Sequence, residues 1–360
     1  PSIVITPSRK DHVRIGGVAQ DDRRTGGVMT AITAPDDTSR YRLDTHGQRI
    51  GGDVQYDRTI DNASELVVKG AVNTYTQTDH DNFAGVQRTQ ANQYVEAFWK
   101  HHTERRTWVI GGNDQASQLR GGDVDPQALN TVGLFAQLAL HRQRWPEIDL
   151  GMRADAPGGY AVQLLPSAAA LFKVNNKLSI RANAGSGYQL PDRSRNYGLV
   201  YEGVIAQRLT TGTVPERSLG GTVEWTWKKP LAEHTVLFID QTFFATHIDR
   251  PLIIGTASDA SATLTNASGN TLTRGIDNYV RLTIDGTELY LGYTWTLPQC
   301  IHGATTTLLP YTPQHRAAMT LSHEFNAHWR AGIEASWSGE QDRGDGTRTR
   351  DQLFMAAMVG

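Results

Sequence analysis

The sequence predicts an all-β protein, specifically a transmembrane antiparallel β-barrel, and two patterns carry this prediction. Apolar and polar residues alternate along about 16 segments of the chain, as they do in strands with two unlike faces. The links between these segments are alternately short and long. Barrels of the outer membrane show this layout, because tight turns lie on one side of the bilayer and longer loops on the other.

The alternation is clearest in residues 177–186, where Leu178 and Ile180 point to one side and Ser179 and Arg181 point to the other. The preceding Asn175-Asn176 pair is a typical turn sequence and predicts a hairpin. The same reasoning along the chain predicts strands at residues 9–20, 41–59, 65–77, 88–101, 105–113, 131–142, 148–156, 161–172, 177–186, 218–228, 234–247, 272–284, 287–297, 315–325, 328–339 and 351–360.

The links between the predicted strands differ in length in a regular way. Short links are predicted at residues 61–64, 102–104, 175–176, 229–232, 285–287 and 326–327. Longer links are predicted at residues 114–130, 187–217, 248–271, 298–314 and 340–350. A soluble β-sandwich has no reason to keep such parity, whereas a membrane barrel does.

The two faces of the predicted strands carry different side chains. Charged residues share one face, which we expect to line a lumen too wide to be filled by apolar side chains: Glu224, Arg281, Glu288, Arg330 and Glu334. Aromatic residues near strand ends share the opposite face, as in the girdles at a membrane interface: Trp99, Trp108, Trp225, Trp227, Tyr293, Trp295, Trp329 and Trp337.

Composition agrees with this fold. Only 39% of the 360 residues are apolar and the mean hydropathy is −0.43, which a membrane barrel allows because only alternate residues meet lipid. A net charge of −2 offers no basic surface for nucleic acid. The single cysteine, Cys300, excludes an internal disulfide. We predict one barrel domain over residues 1–360, incomplete at both ends, because the chain begins without Met and stops inside the apolar segment 353–359.

No motif predicts an enzyme, a cofactor or a metal site. His323-Glu324 lacks the second histidine that a zinc-protease helix needs. Residues 342–346 resemble a Ca²⁺ loop only loosely, and a solvated outer loop explains them better. No nucleophile, base and orienting group converge, so we expect the protein not to be an enzyme.

Several short sequence motifs, in order along the chain, resemble motifs in the barrel of TonB-dependent outer-membrane receptors. They are NTVGLFAQ at 130–137, GMRAD at 151–155, LPS at 165–167, RANAGSGYQLPD at 181–192, PERS at 215–218, TRGID at 273–277 and LPYTPQHR at 309–316. The resemblance extends from about residue 9 to residue 360 and is closest to the Bacteroidetes-type receptors. The sequence departs from the family in that the N-terminal plug, the first strands and the terminal aromatic strand are not evident.

This resemblance implies a bacterial outer-membrane protein with about 22 barrel strands. It also implies uptake of a scarce nutrient, most often a ferric chelate such as a siderophore or haem, driven by the TonB complex through the plug. No cofactor is implied, and the expected partners are membrane lipid, the TonB complex and a small-molecule ligand, with no nucleic acid.

In such receptors the outer loops and the lumen face give specificity. The loop after Pro191 is long, and its arginines and tyrosines can hold anionic, aromatic chelates. We therefore predict ligand contacts at Arg193, Arg195, Tyr197 and Tyr201. Two alternatives remain open from the residues alone: a passive outer-membrane porin and a soluble carbohydrate-binding β-protein.

Overall fold

The computed structural model describes residues 2–27, 42–81, 85–122, 124–141, 146–193, 208–256, 262–326 and 328–360. Its strands in chain order are Ser2–Ser8 (β1), Asp11–Gly27 (β2), Arg42–Thr59 (β3), Ser64–Asp81 (β4), Gly85–His102 (β5), Arg106–Gly121 (β6), Val124–Leu140 (β7), Glu147–Pro157 (β8), Gln163–Lys173 (β9), Leu178–Gln189 (β10), Arg208–Leu209 (β11), Glu216–Ala232 (β12), Thr235–Asp249 (β13), Leu252–Thr256 (β14), Ala262–Asn266 (β15), Asn270–Ile284 (β16), Thr287–His302 (β17), Thr305–Leu308 (β18), His315–Asn326 (β19), Trp329–Ser338 (β20) and Gln352–Val359 (β21). Among the described residues, no helix has the length and apolar character needed to cross a membrane.

Eighteen of these strands form one sheet, in which strands pair antiparallel with their neighbours in sequence. For example, β10 pairs with β9 over residues 179–185 and with β12 over residues 178–189. In the described part of the chain, β1 pairs with β2 alone and β21 pairs with β20 alone. A second sheet of three strands, β11, β14 and β15, lies within the connections that follow β10 and β13. The prediction of an all-β antiparallel architecture is confirmed.

The predicted alternation of connection length holds from β9 onward, whereas β6 and β7 are joined by only two residues, 122–123, at the edge that carries the long connections. Turns of two to four residues at one edge of the sheet include residues 103–105, 174–177, 233–234 and 285–286. The long connections 190–215 and 250–269 lie at the opposite edge, because successive strands of the sheet are antiparallel.

Three predicted links are wrong in whole or in part. Residues 298–314, predicted to be one long link, contain the end of β17, which extends to His302, and all of β18. Residues 114–130, predicted to be a loop, continue β6 to Gly121 and begin β7 at Val124. The apolar alternation fades there because the ends of these strands carry polar residues on both faces, so the periodic signal disappears. The link predicted at 229–232 belongs to β12, where a bulge between Pro230 and Ala232 accommodates the proline.

The two faces of the sheet are inverted relative to a soluble protein. Register places Glu224 beside Arg181 on the polar face, where the side chain of Asp155 is 4% exposed. On the apolar face, Leu134 is 67% exposed and Ile333 is 46% exposed. A soluble protein would bury the apolar face, whereas a membrane barrel turns it toward lipid. The predicted aromatic residues are on the apolar face: Trp99, Trp108, Trp225, Trp227, Tyr293, Trp295, Trp329 and Trp337.

One row of polar groups crosses this apolar face. Trp225 Nε1 donates to Gln241 Oε1 at 2.9 Å, and Gln241 Nε2 donates to Asn278 Oδ1 at 2.5 Å. Asn278 Nδ2 donates to the carbonyl oxygen of Tyr293 at 3.3 Å. The four residues are direct cross-strand partners on β12, β13, β16 and β17. Because an unbonded amide facing lipid is costly, this ladder satisfies its own polar groups and ties the four strands in register.

Candidate ligand site on the polar face of the sheet

A buried ion pair lies on the polar face where β6, β7 and β8 meet. Arg153 Nε is 2.7 Å from Asp155 Oδ1, and Arg153 Nη2 donates to Asn113 Oδ1 at 2.9 Å. The hydroxyl of Tyr188, on β10, donates to Asp155 Oδ2 at 3.1 Å. The Asp155 side chain is 4% exposed and the Arg153 side chain 34%. The carboxylate is therefore desolvated, and the contacts with Arg153 and Tyr188 stabilise its charged form.

Gly133 leaves the space that this ion pair occupies. Register on β7 places Gly133 opposite Asn113 on one side and opposite Asp155 on the other. A Cβ atom at this position would overlap Asp155 and would lie 2.5 Å from Asn113 Oδ1. The polar network thus approaches the backbone more closely than any residue with a side chain allows.

Beside the ion pair, the polar face opens into a cleft of about 250 Å³. Strands β6, β7, β8 and β10 form its walls, and the chain that follows β10 completes it. Polar groups dominate the lining: Gln115, Ser117, Thr131, Asp155, Tyr188 and Asp192. The cleft offers a ligand hydrogen-bonding groups, and it lies at the edge of the sheet that carries the long connections.

Arg193, one of the predicted ligand contacts, ties the start of the long connection to β7. Its backbone N–H donates to Gln127 Oε1 at 2.9 Å, and its guanidinium donates to the carbonyl oxygen of Asp125. Gln127 Nε2 donates in turn to the carbonyl oxygen of Pro191 at 2.6 Å. Arg193 is 3% exposed, and desolvation lowers the pKa of its guanidinium. The structure shows Arg193 anchoring this connection, and its contact with a ligand stays a prediction.

The other three predicted contacts, Arg195, Tyr197 and Tyr201, lie outside the described residues. Their ligand contacts also stay predictions.

The chain after β10 is supported by the connection that follows β13. Strand β11 pairs in parallel with β15, and Leu264 of β15 is fully buried against Leu252 of β14. Asn266 joins the two connections, because its Oδ1 accepts from the Val214 N–H at 2.8 Å while its Nδ2 donates to the carbonyl oxygens of Val214 at 3.0 Å and Arg250 at 2.8 Å. The two connections therefore share one small core at the edge of the sheet.

No group of three or more His, Cys, Asp or Glu side chains in the described ranges is placed to hold a metal ion. Cys300 is a free cysteine.

A large antiparallel sheet with a polar inner face, an apolar outer face and long connections at one edge defines a transmembrane β-barrel of the outer-membrane class. The chain matches the family described as "TonB dependent receptor-like, beta-barrel" over residues 12–355. It therefore belongs to that family, whose barrels are bacterial outer-membrane proteins. The predicted family, fold class and location are confirmed, and the soluble carbohydrate-binding alternative is excluded.

Solved structures with the same fold are receptors and transporters. The siderophore receptor PirA from Acinetobacter baumannii is 10% identical with a TM-score of 0.71, and the match covers 100% of this chain and 63% of PirA. The copper transporter OprC is 12% identical with a TM-score of 0.76, covering 99% of this chain and 62% of OprC. The ferric-catecholate import receptor Fiu from E. coli K12 is 13% identical with a TM-score of 0.74, covering 100% and 67%. Identities this low show a shared fold alone. No curated protein matches the chain.

Sequence reasoning did not single out the residues that line the cleft. Arg153 and Asp155 are two positions apart on a strand, and this spacing does place both on one face. Their partners Asn113 and Tyr188 lie 40 and 33 residues away, so no local pattern connects them.

Proposed function

We propose that the full-length protein is a TonB-dependent receptor that captures a ferric chelate, a siderophore or haem, and imports it across the outer membrane. The observation that carries the proposal is the polar cleft on the inner face of the barrel, at the edge where the long connections meet. Arg193, Arg195, Tyr197 and Tyr201, in the connection after β10, are the proposed contacts for the chelate.

The partners we propose follow from the two faces of the sheet. The apolar face meets membrane lipid, because its large side chains are exposed. The polar face borders a lumen that a barrel of this width cannot fill with its own side chains, so a separate plug is needed for gated passage. The TonB complex would act on that plug.

Solved structures that share this fold support metal chelates as the cargo. They include a siderophore receptor, a ferric-catecholate import receptor and a ferric citrate transporter, alongside a copper transporter. Each cargo is that of the named protein, and the shared fold leads us to propose the same class of cargo for this chain.

Uptake of radioactive iron tests the proposal. The full-length protein is expressed in a strain without its own iron receptors, with and without TonB, and offered a ferric tris-catecholate, a ferric trihydroxamate, ferric citrate or haem. We expect uptake of at least one complex only when TonB is present. Uptake that persists without TonB, together with steady conductance in planar bilayers, would instead establish a passive porin.

A loop variant tests the proposed contacts. Replacing Arg195, Tyr197 and Tyr201 together by alanine should weaken binding of the transported complex at least about tenfold, because charge-assisted and cation–π contacts are lost. Arg343→Ala is the matched control, since Arg343 is an exposed arginine in another connection at the same edge. Equal affinity in the triple variant and the control would place the ligand site elsewhere.

A further inference from the structure

A groove on the apolar face of the sheet lies at the turn between β5 and β6. It is an open space of about 550 Å³, and its described lining consists of His101, Thr103, Glu104, Arg105, Arg106 and Trp108. His101 and Trp108 are cross-strand partners, so both side chains lie on this face. Arg106 is two residues before Trp108 on β6 and therefore points the same way. The groove thus places cationic side chains on the face that meets lipid.

The groove is at the periplasmic edge of the barrel. Residues 103–105 form one of the short turns, and the short turns of outer-membrane barrels are periplasmic. Trp108 is therefore an aromatic residue at the periplasmic membrane–water boundary, where indole rings lie at the level of the lipid headgroups. Beyond it, Ile110 is 50% exposed on the same face, and Leu138 of β7 is the cross-strand partner of Trp108. A lipid can place its headgroup in the groove and its acyl chains along these apolar side chains.

Positive charge in the groove exceeds negative charge. In the described part of the chain, the guanidinium groups of Arg105 and Arg106 have no hydrogen bond and no ion pair, and both residues are exposed. Glu104 is the one carboxylate of the described lining. Residues 142–145, outside the described ranges, include no Asp or Glu. Two guanidinium groups against one carboxylate leave a net positive site, and guanidinium groups hold phosphate oxygens in paired, charge-assisted hydrogen bonds.

His101 adds a hydrogen-bonding group whose position is fixed. Ser64 Oγ is 3.0 Å from His101 Nδ1, and the Trp99 ring stacks on the imidazole with centroids 5.3 Å apart and planes at 13°. In the tautomer that carries its proton on Nε2, the ring can donate to a phosphate oxygen. Asp61, on the adjoining turn, is not part of the described lining, and its carboxylate accepts from the Ala63 N–H at 2.7 Å.

We propose that this groove binds the headgroup of an anionic phospholipid from the periplasmic leaflet, with its phosphodiester on Arg105 and Arg106. Arginines at a membrane surface attract anionic lipids. A lipid with net negative charge, such as phosphatidylglycerol, is preferred to zwitterionic phosphatidylcholine, because the net positive charge of the groove repels the choline ammonium. The acyl chains lie against Trp108, Ile110 and Leu138. This site faces the bilayer, so it is separate from any site for the cargo.

Native mass spectrometry of the full-length protein in detergent tests the assignment. The protein is titrated with phosphatidylglycerol and with phosphatidylcholine that carry the same acyl chains. In the wild type we expect phosphatidylglycerol to bind about tenfold more tightly, which corresponds to about 1.4 kcal/mol. In Arg105→Gln/Arg106→Gln the ratio of the two Kd values should fall to about one. Because both side chains are exposed, this variant should fold as the wild type does.

Two controls separate a lipid site from general electrostatics. Lys228→Gln/Lys229→Gln removes two positive charges from β12 near the short turn 233–234, at the same edge and outside the groove, and it should keep the tenfold ratio. Glycerophosphoglycerol, the same headgroup without acyl chains, should bind at least about tenfold more weakly than phosphatidylglycerol, because its contacts with the apolar face are lost.

Several results would overturn the assignment. Equal Kd values for the two lipids in the wild type would show that the groove does not select an anionic headgroup. A tenfold ratio that survives in the arginine variant would place the bound lipid elsewhere. Loss of the ratio in the lysine variant as well would show an effect of net charge alone. Equal affinity for glycerophosphoglycerol and phosphatidylglycerol would establish a site for soluble phosphates instead of lipid.

Discussion

Removing Arg153 should destabilise the barrel more than removing the whole ion pair. Arg153→Ala leaves the Asp155 carboxylate, 4% exposed, with the Tyr188 hydroxyl as its donor and without an ion-pair partner among the described residues. Breaking a buried pair in this way costs about 3–5 kcal/mol, and we expect about 3 kcal/mol here because the Arg153 side chain is one-third exposed. Removing both charges, in Arg153→Ala/Asp155→Ala, should cost about 1–2 kcal/mol, because no uncompensated charge remains.

Equilibrium unfolding in urea measures these differences. The full-length protein is folded into lipid vesicles, and tryptophan fluorescence reports the transition. The double variant should be more stable than Arg153→Ala by at least about 1 kcal/mol. If the double variant is less stable than the wild type by the sum of the two single effects, the two side chains act independently and the ion-pair reasoning is refuted.

Three further predictions concern the surroundings of the site. Gly133→Ala should lower the free energy of unfolding by about 1–3 kcal/mol, because the added Cβ overlaps the ion pair. Gly17→Ala is the control and should have little effect, because a Cβ atom there meets only ordinary van der Waals contacts. The urea midpoints of the two variants are compared. Asn266→Ala should speed hydrogen exchange in the segment carrying β11 without changing the urea midpoint, and unchanged exchange would show that the shared core alone holds that segment. Hydrogen bonds from the Thr347 hydroxyl and amide hold the pKa of Asp345 below its ordinary 3.8. Protection of the Thr347 amide should therefore be present above pH 3.8 and lost as the pH falls through the depressed pKa, and NMR exchange that does not depend on pH in this range would contradict the assignment.

At the candidate site, the sequence predicted residue types but not the contacts that those residues make. Arg193 was predicted from its residue type and its place in a long connection, yet its position depends on Gln127 of β7, 66 residues earlier in the chain. Residue type indicates what a side chain can bind. It does not indicate whether a ligand or the protein's own backbone carbonyl, here that of Asp125, is within reach.

The sequence by itself determined the family, the antiparallel order of the strands and the identity of the two faces. These features depend on alternation and on link length, both of which are local along the chain. Even so, the true ends of β6 and β7 were lost where the alternation fades.

Only the tertiary structure decided the cleft and the ion pair beside it. Arg153 and Asp155 share a strand face, but the Asn113 amide reaches Arg153 through the register of two pairings, β6–β7 and β7–β8. The Tyr188 hydroxyl reaches Asp155 from β10. A shift of one residue in any pairing would send these side chains to the lipid face. The physical reason is that cross-strand neighbours are about 5 Å apart in space while they are tens of residues apart in the chain.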